Sequence, residues 1–321
     1  MTLAQPATAL HVKVHPEAFH GIWPALLTPL DARLDIDHPA LAAHCHQLLS
    51  SGCGGVTLFG TTGEGTAFSM AERLEALDRL IAAGVPAPQI MVSTSCAALP
   101  ETLALTRHAV NAGVHGCLIL PPFFLKGVSD AGIIDCYRYV IDGVAQSGLP
   151  HSLKLYLYHI PQVAGVGLSH HVIGTLQAAY PSIIMGVKDS ACSTAHSVAL
   201  AGAFRDKLAI YVGYEPDLPE MGRRGSHGAI SGLANFMPRG VARLVLKSEA
   251  PATAAERARV LDLLALLAPY SLMPALKGVM AIATGEPNWL RVRAPLVALS
   301  EAEFSALTQS MREFGPDLQT D

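Results

Sequence analysis

The sequence predicts an α/β fold, a closed (β/α)8 TIM barrel followed by a C-terminal helical extension. Two observations carry this expectation. Short apolar runs alternate eight times with stretches of helical period, which implies right-handed βαβ units around a parallel sheet. All eight units fit between residues 21 and 232, a density that suits a closed barrel. No GxGxxG follows the first run to suggest an open dinucleotide-binding sheet.

Strands are expected at 21–28, 56–60, 90–95, 116–121, 153–160, 183–188, 208–213 and 228–232. Each is short, and most are rich in Val, Ile and Leu, as befits strands buried on both faces. Helical periodicity lies between them: over 70–83 it places Leu74, Leu77, Leu80 and Ile81 on one face, and 99–112 follows suit. Beyond Arg243 no strand intervenes, and 254–267, 274–284 and 300–314 read as helices packed on the barrel. The expected division is a loose tail over 1–18, the barrel over 19–245 and the helical extension over 246–321.

Composition narrows the function. Of 321 residues, 50% are hydrophobic and only 15% charged, so something must cover part of the surface. No run of 18 apolar residues is free of charges or Gly/Pro breaks, which points to partner subunits rather than a membrane. A net charge of −4 offers nucleic acid no footprint. Cys45, Cys53, Cys96, Cys117, Cys136 and Cys192 show no paired spacing, and the first eighteen residues hold no secretion signal. Reduced thiols and a cytoplasmic protein are expected. His44/His46 and His170/His171 lack the neighbouring carboxylates of a metal pattern, so no metal is expected.

In such a barrel the chemistry sits at the carboxyl ends of the strands. The sixth ends in Lys188, where burial would disfavour the ammonium and favour a nucleophilic amine. A snorkelling or salt-bridged lysine is the alternative. Gly186, two residues deeper, would leave room beside that amine, while Asp189 points to the other face. The second strand ends in Gly60-Thr61-Thr62-Gly63-Glu64-Gly65, whose amides and hydroxyls suit a carboxylate, or simply form a Gly-rich turn. On the fifth strand Tyr156, Tyr158 and Ile160 share a face, with Tyr158 placed to move protons or merely to pack. The eighth, from Gly228 through Ile230 to Gly232, supplies small residues around a cavity mouth. A carboxylate cradle, a phenol and an amine together suit a 2-oxo acid, with the cradle holding its carboxylate and the amine condensing with its ketone.

At this point the chain resembles the family of dihydrodipicolinate synthase and N-acetylneuraminate lyase, the pyruvate-dependent class I aldolases. The resemblance runs from about Gly21 to beyond Pro295. It rests on Gly60–Glu64, on Tyr-x-x-Pro at Tyr158–Pro161 and on Gly-Val-Lys-Asp at Gly186–Asp189. The strand 228–232 and Pro274-Ala275-Leu276-Lys277 add to it. The resemblance implies a covalent imine on Lys188 without a cofactor, and Tyr158 as general acid/base. Thr61 and Thr62 would bind the pyruvyl carboxylate, Thr62 also touching the phenol. Gly63, Gly186, Glu215, Ile230 and Gly232 complete the expected substrate site, and a homotetramer of tight dimers the assembly.

Two departures bear on the substrate and a third on the mechanism. The synthase grips its second carboxylate with an arginine where this chain has Val163, leaving Arg223, Arg224 or Lys126 as substitutes if the loops bring one over the pocket. After the seventh strand the run is Tyr214-Glu215-Pro216, not the Asp-Glu pair of the sialate-cleaving members, and Gly232 replaces their serine. Phe124 stands where many members present an interface tyrosine, so the proton relay ends at Tyr158. The expectation is a lyase, hydratase-lyase or dehydratase acting on a 2-keto-3-deoxy sugar acid or hydroxy-oxo acid. The synthase reaction is the alternative, and a catalytically impaired 2-oxo-acid-binding barrel is an alternative of another class.

Overall fold

The computed structural model describes residues 18–149, 151–246 and 251–314. Eight parallel strands form it: β1 Gly21–Pro24, β2 Val56–Leu58, β3 Ile90–Ser93, β4 Gly116–Ile119, β5 Leu155–His159, β6 Ile184–Asp189, β7 Ala209–Val212 and β8 Gly228–Ser231. They follow the order β1-β8-β7-β6-β5-β4-β3-β2. A parallel bridge from Ala25 to Thr57, with Leu26 N–H donating to Thr57 O at 2.9 Å, joins β1 to β2 and closes the ring. Every expected strand is present. Most are shorter at the carboxyl end than their apolar runs, because the chain there leaves the ladder to form the mouth.

Helices α1 His38–Ser50, α2 Met70–Ala82, α3 Leu99–Asn111, α4 Asp130–Ala145 and the short α5 Pro161–Ala164 follow the first five strands. α6 His170–Ala179, α7 Thr194–Phe204, α8 Leu218–Arg223 and α9 Pro238–Leu246 complete the outer layer. Local chemistry starts several of them. Asp37, Ser129, Ser169 and Ser193 each accept a first-turn N–H, and Ser69 with Glu72 forms a reciprocal capping box on α2. α10 Pro251–Leu267, α11 Leu272–Thr284 and α12 Glu301–Phe314 form the expected helical extension. Its α11 buries Pro274 through Ala281 against the barrel. No single helix among the described residues is long and apolar enough to cross a membrane. The expected tail 1–18 lies outside the described residues except for Ala18, which is buried at the barrel's lower end.

Two features hold the mouth in place. Asn235 accepts from Leu27 N–H at 3.0 Å and donates to Ala25 O and Gly232 O, both at 2.8 Å, so one buried amide ties β1 to the chain after β8. Lys277 of α11 pairs with Glu64 at 2.5 Å, both side chains sealed from solvent, and donates to Arg291 O at 2.7 Å. Burial pushes the Lys277 pKa down, and the Glu64 carboxylate opposes that push. This pair fixes the loop after β2 to the extension.

Removing one partner of a buried pair strands the other charge. Lys277→Met should therefore lower the unfolding free energy by about 3–5 kcal/mol in urea titration. The double variant Glu64→Gln/Lys277→Met should recover much of that loss, and a double variant no more stable than the single would contradict this account of the pair.

Candidate active site

Side chains of β5 and β6 alternate between the barrel interior and its outer face. Their register pairs Tyr158 with Lys188 and His159 with Asp189. The first pair therefore points inward together and the second outward together.

Inside, Lys188 is 3% and Tyr158 2% exposed. Lys188 Nζ lies 4.3 Å from the centroid of the Tyr158 ring, an aromatic face beside the amine in place of an ion-pair partner. Lys188 has no carboxylate partner among the described residues. The phenol oxygen is 3.2 Å from Thr61 Oγ1. Thr61 also lines a cavity of about 300 Å³ that opens among Gly60, Leu120, Phe123, Val163 and Met273. The hydroxyl of Thr61 thus links the cavity wall to the phenol beneath the amine. At Gly213, just after β7, a Cβ would come within 3.1 Å of Lys188 Cε and 1.9 Å of Ser190 Oγ, so this glycine gives the lysine stem its room. The sequence reading missed Gly213 as a site residue; its only signal is a glycine closing the strand beside the lysine.

The loop after β2 is a tight turn, with Glu64 N–H donating to Thr61 O at 3.1 Å and Gly65 N–H to Gly60 O at 3.2 Å. Phe59 and Glu64 flank it at φ 58° and 56°, left-handed values that non-glycine residues seldom adopt outside functional or tightly constrained segments. Gly63 lies against the chain just after β1: a Cβ there would sit 2.5 Å from Leu26 O, and its carbonyl accepts from Thr28 Oγ1 at 2.8 Å. Thr62 faces Gly232, where a Cβ would stand 3.3 Å from Thr62 Oγ1.

Several expectations change at this resolution of detail. Thr61, not Thr62, touches the phenol, because the turn directs the first hydroxyl toward β5 and the second toward the chain after β8. Gly186 leaves no void beside the amine. A Cβ there would meet Ala209 O at 2.5 Å and Tyr211 Cε2 at 3.0 Å, so Tyr211 from β7 fills the space. Glu215 is turned into the protein, where it accepts from Ser231 Oγ at 2.6 Å and Leu233 N–H at 3.2 Å and braces the end of β8. Ile230 belongs to the interior apolar cluster with Tyr156, Tyr158, Met185 and Tyr211 and forms part of the barrel filling.

The cations proposed to replace an arginine at Val163 separate cleanly. Arg223 and Arg224 both bind Glu220, at 2.6 and 2.7 Å, on α8. Lys126 instead donates to Phe123 O and, at 2.5 Å, to Ala164 O, and both of those residues line the cavity. Phe124 and Val163 are 75% and 61% exposed.

On the outer face, Asp189 accepts from Ser197 Oγ at 2.7 Å and Ala191 N–H at 3.0 Å, and meets His196 Nδ1 at 3.1 Å. His159 stacks on His196 at 4.4 Å between centroids, and its Nδ1 accepts from Leu168 N–H at 2.9 Å. Ligand atoms of His159, Asp189 and His196 lie within 4.8 Å of one another, close enough to hold a metal ion. Metal-bound imidazoles usually donate their second ring N–H, whereas His159 spends that nitrogen as an acceptor. A cation on Nε2 would leave the ring with no proton at all. The cluster is built as a hydrogen-bond network that holds β5 and β6 from behind.

Comparison with known proteins gives one consistent picture. The family model described as the dihydrodipicolinate synthetase family matches residues 18–313. A Chloroflexus aurantiacus protein named an uncharacterized DapA-like lyase is 34% identical over 290 residues, 89% of this chain and 94% of its own. The crystal structure of dihydrodipicolinate synthase from Agrobacterium tumefaciens superposes with a TM-score of 0.85 at 34% identity, over 92% of this chain and 99% of that one. The structure of YagE from Escherichia coli K12 in complex with pyruvate gives 0.82 at 25% identity, over 92% and 98%.

Two buried histidines set an acid limit on this architecture. Burial lowers the pKa of His159, with the nearby His196 adding to it, and of His44, which is bonded to Asn235 Oδ1 at 3.0 Å; each falls from 6.5 to about 4. Between those values the unfolded chain binds the protons and the folded one does not. Stability is therefore full above pH 6.5 and is lost as pH falls toward about 4. Urea unfolding at about pH 7.5 and about pH 4.5 should show this loss, and His159→Asn should shrink the difference between the two. An unchanged difference in that variant would contradict the assignment.

Proposed function

Given that the chain belongs to the dihydrodipicolinate synthetase family, we propose that it is a Schiff-base-forming lyase or aldolase acting on pyruvate or a related 2-oxo acid. The observation that carries this reading is a buried lysine amine 4.3 Å above the ring of a tyrosine whose hydroxyl is shared with Thr61 on the cavity wall. Pyruvate bound to YagE, a relative of the same fold, adds support.

In this reading the hydroxyls of Thr61 and Thr62 bind the carboxylate. The Lys188 amine attacks the ketone carbon, and the resulting carbinolamine loses its hydroxyl as water when Tyr158 supplies a proton. The iminium then accepts an electron pair. In the cleaving direction the C3–C4 bond breaks, Tyr158 takes the proton from the C4 hydroxyl, and an aldehyde leaves. The enamine takes a proton at C3, and water hydrolyses the imine to restore the amine. Condensation runs the same steps backward. The iminium on Lys188 is the electron sink, so the scheme calls for no cofactor or metal.

The substrate class that fits is a 2-keto-3-deoxy sugar acid or a hydroxy-oxo acid, cleaved or dehydrated. Condensation of pyruvate with aspartate semialdehyde is the second reading, favoured by the 34% identity to the Agrobacterium synthase and opposed by Val163 in the arginine position. A cytoplasmic homotetramer belongs to the same reading. Its support is the apolar composition and the exposed Phe124 and Leu125, at 75% and 66%, which a second copy would cover.

Incubation with pyruvate and borohydride should leave a reduced adduct that peptide mass spectrometry places on Lys188, and Lys188→Ala should leave none. Tyr158→Phe should retain the adduct but lower turnover by roughly 10²–10⁴-fold. A folded wild-type protein that yields no adduct at neutral or mildly alkaline pH removes this reading.

A further inference from the structure

We propose that Lys126 is a specificity-determining residue that holds an anionic group on the far half of the substrate, so that the 2-oxo acids handled here carry a second acidic group. The inference rests on the imine reading above and deepens it.

Lys126 lies in the loop between β4 and α4, yet its ammonium crosses to the end of α5. There it donates to the carbonyls of Phe123 and Ala164, and both of those residues line the cavity that begins at Thr61. The route is built into the fold. Gly165 ends α5 at φ +67°, and a Cβ at that position would lie 2.8 Å from both Cε and Nζ of Lys126. A left-handed turn without a side chain is what lets the ammonium lie against this wall.

An ammonium has three N–H donors, and two carbonyls account for two of them. Lys126 has no carboxylate partner among the described residues. The other cations of this region are committed. Arg293 binds Glu72 at 2.5 Å and the carbonyls of Leu34 and Ala67, and Lys277 is closed into its pair with Glu64. The cavity wall is mostly apolar, with Leu120, Phe123 and Val163 in it, and its charged members, Glu64 and Arg293, are paired with Lys277 and Glu72. Such a cavity takes a short carbon chain from the pyruvyl end, and the charge tethered beside Phe123 and Ala164 selects what terminates it. The residue is exposed, so its pull on an anion is screened by salt. The bland reading is that Lys126 only pins two loops together, which would affect every substrate alike.

Borohydride trapping tests this without requiring turnover. The probes are pyruvate, 2-oxohexanoate and 2-oxoadipate, the last two differing only in a terminal carboxylate. Wild-type protein should trap 2-oxoadipate at a lower half-saturating concentration than 2-oxohexanoate, with the advantage shrinking as salt rises. Lys126→Met should raise the half-saturating concentration of 2-oxoadipate about tenfold and move the other two by less than about twofold, while Lys126→Arg keeps most of the preference. Equal shifts for all three probes, or none for 2-oxoadipate, would overturn the proposal. Wild-type protein that traps pyruvate but prefers the neutral chain would overturn this proposal alone. Failure to trap pyruvate would overturn the imine reading and this proposal with it.

Discussion

The register between β5 and β6 is the constraint on which the rest of the site depends. Because successive residues of a strand face opposite sides, pairing Tyr158 with Lys188 commits His159 and Asp189 to the outer face as a pair. The inner pair lies buried in the barrel, its phenol bonded to Thr61 of the cavity wall, and the outer pair meets the helices. A slip of one residue would expel the amine and the phenol together and bury two polar groups in their place. The hydrogen bonds of Asp189 to Ser197 and Ala191, and of His159 to Leu168, oppose that slip from behind. The amine and the outer cluster are therefore two faces of one element.

The amine also needs surroundings that neither tie it into an ion pair nor crowd it. Tyr158 offers a ring face in place of a carboxylate, and Gly213 clears the stem. Deeper in the barrel the space is filled. Tyr211 packs into the gap left by Gly186, stacks on Phe19 at 4.1 Å between centroids, and donates to Phe19 O at 3.0 Å. A floor of aromatic rings thus fills the barrel beneath the amine.

Elements distant in the chain fix the mouth. Asn235 joins the ends of β1 and β8, Glu215 braces the chain after β8, and the buried pair of Glu64 and Lys277 anchors the loop after β2 to α11. The helical extension is thereby part of the barrel's mouth. The turn at Thr61 is held on one side of the cavity, and on the other the loop bearing Lys126 is tethered across to α5.

Strand number, helix alternation and the helical extension were all legible in the chain, because hydrophobic period is a local property. Alternation along the sixth strand also puts Asp189 on the face opposite Lys188. Other assignments required the folded molecule. Whether Thr61 or Thr62 meets Tyr158 depends on how a six-residue turn lies against a strand nearly a hundred positions away. Gly186 reads as room until a neighbouring strand places Tyr211 there, and Glu215 reads as a ligand until Ser231 and Leu233 claim its carboxylate. Among three candidate cations, only loop geometry separates Lys126 from the arginines held by Glu220. A sequence states what each residue is able to do, but occupancy of space and pairing of polar groups are settled by non-local neighbours, which only tertiary structure supplies.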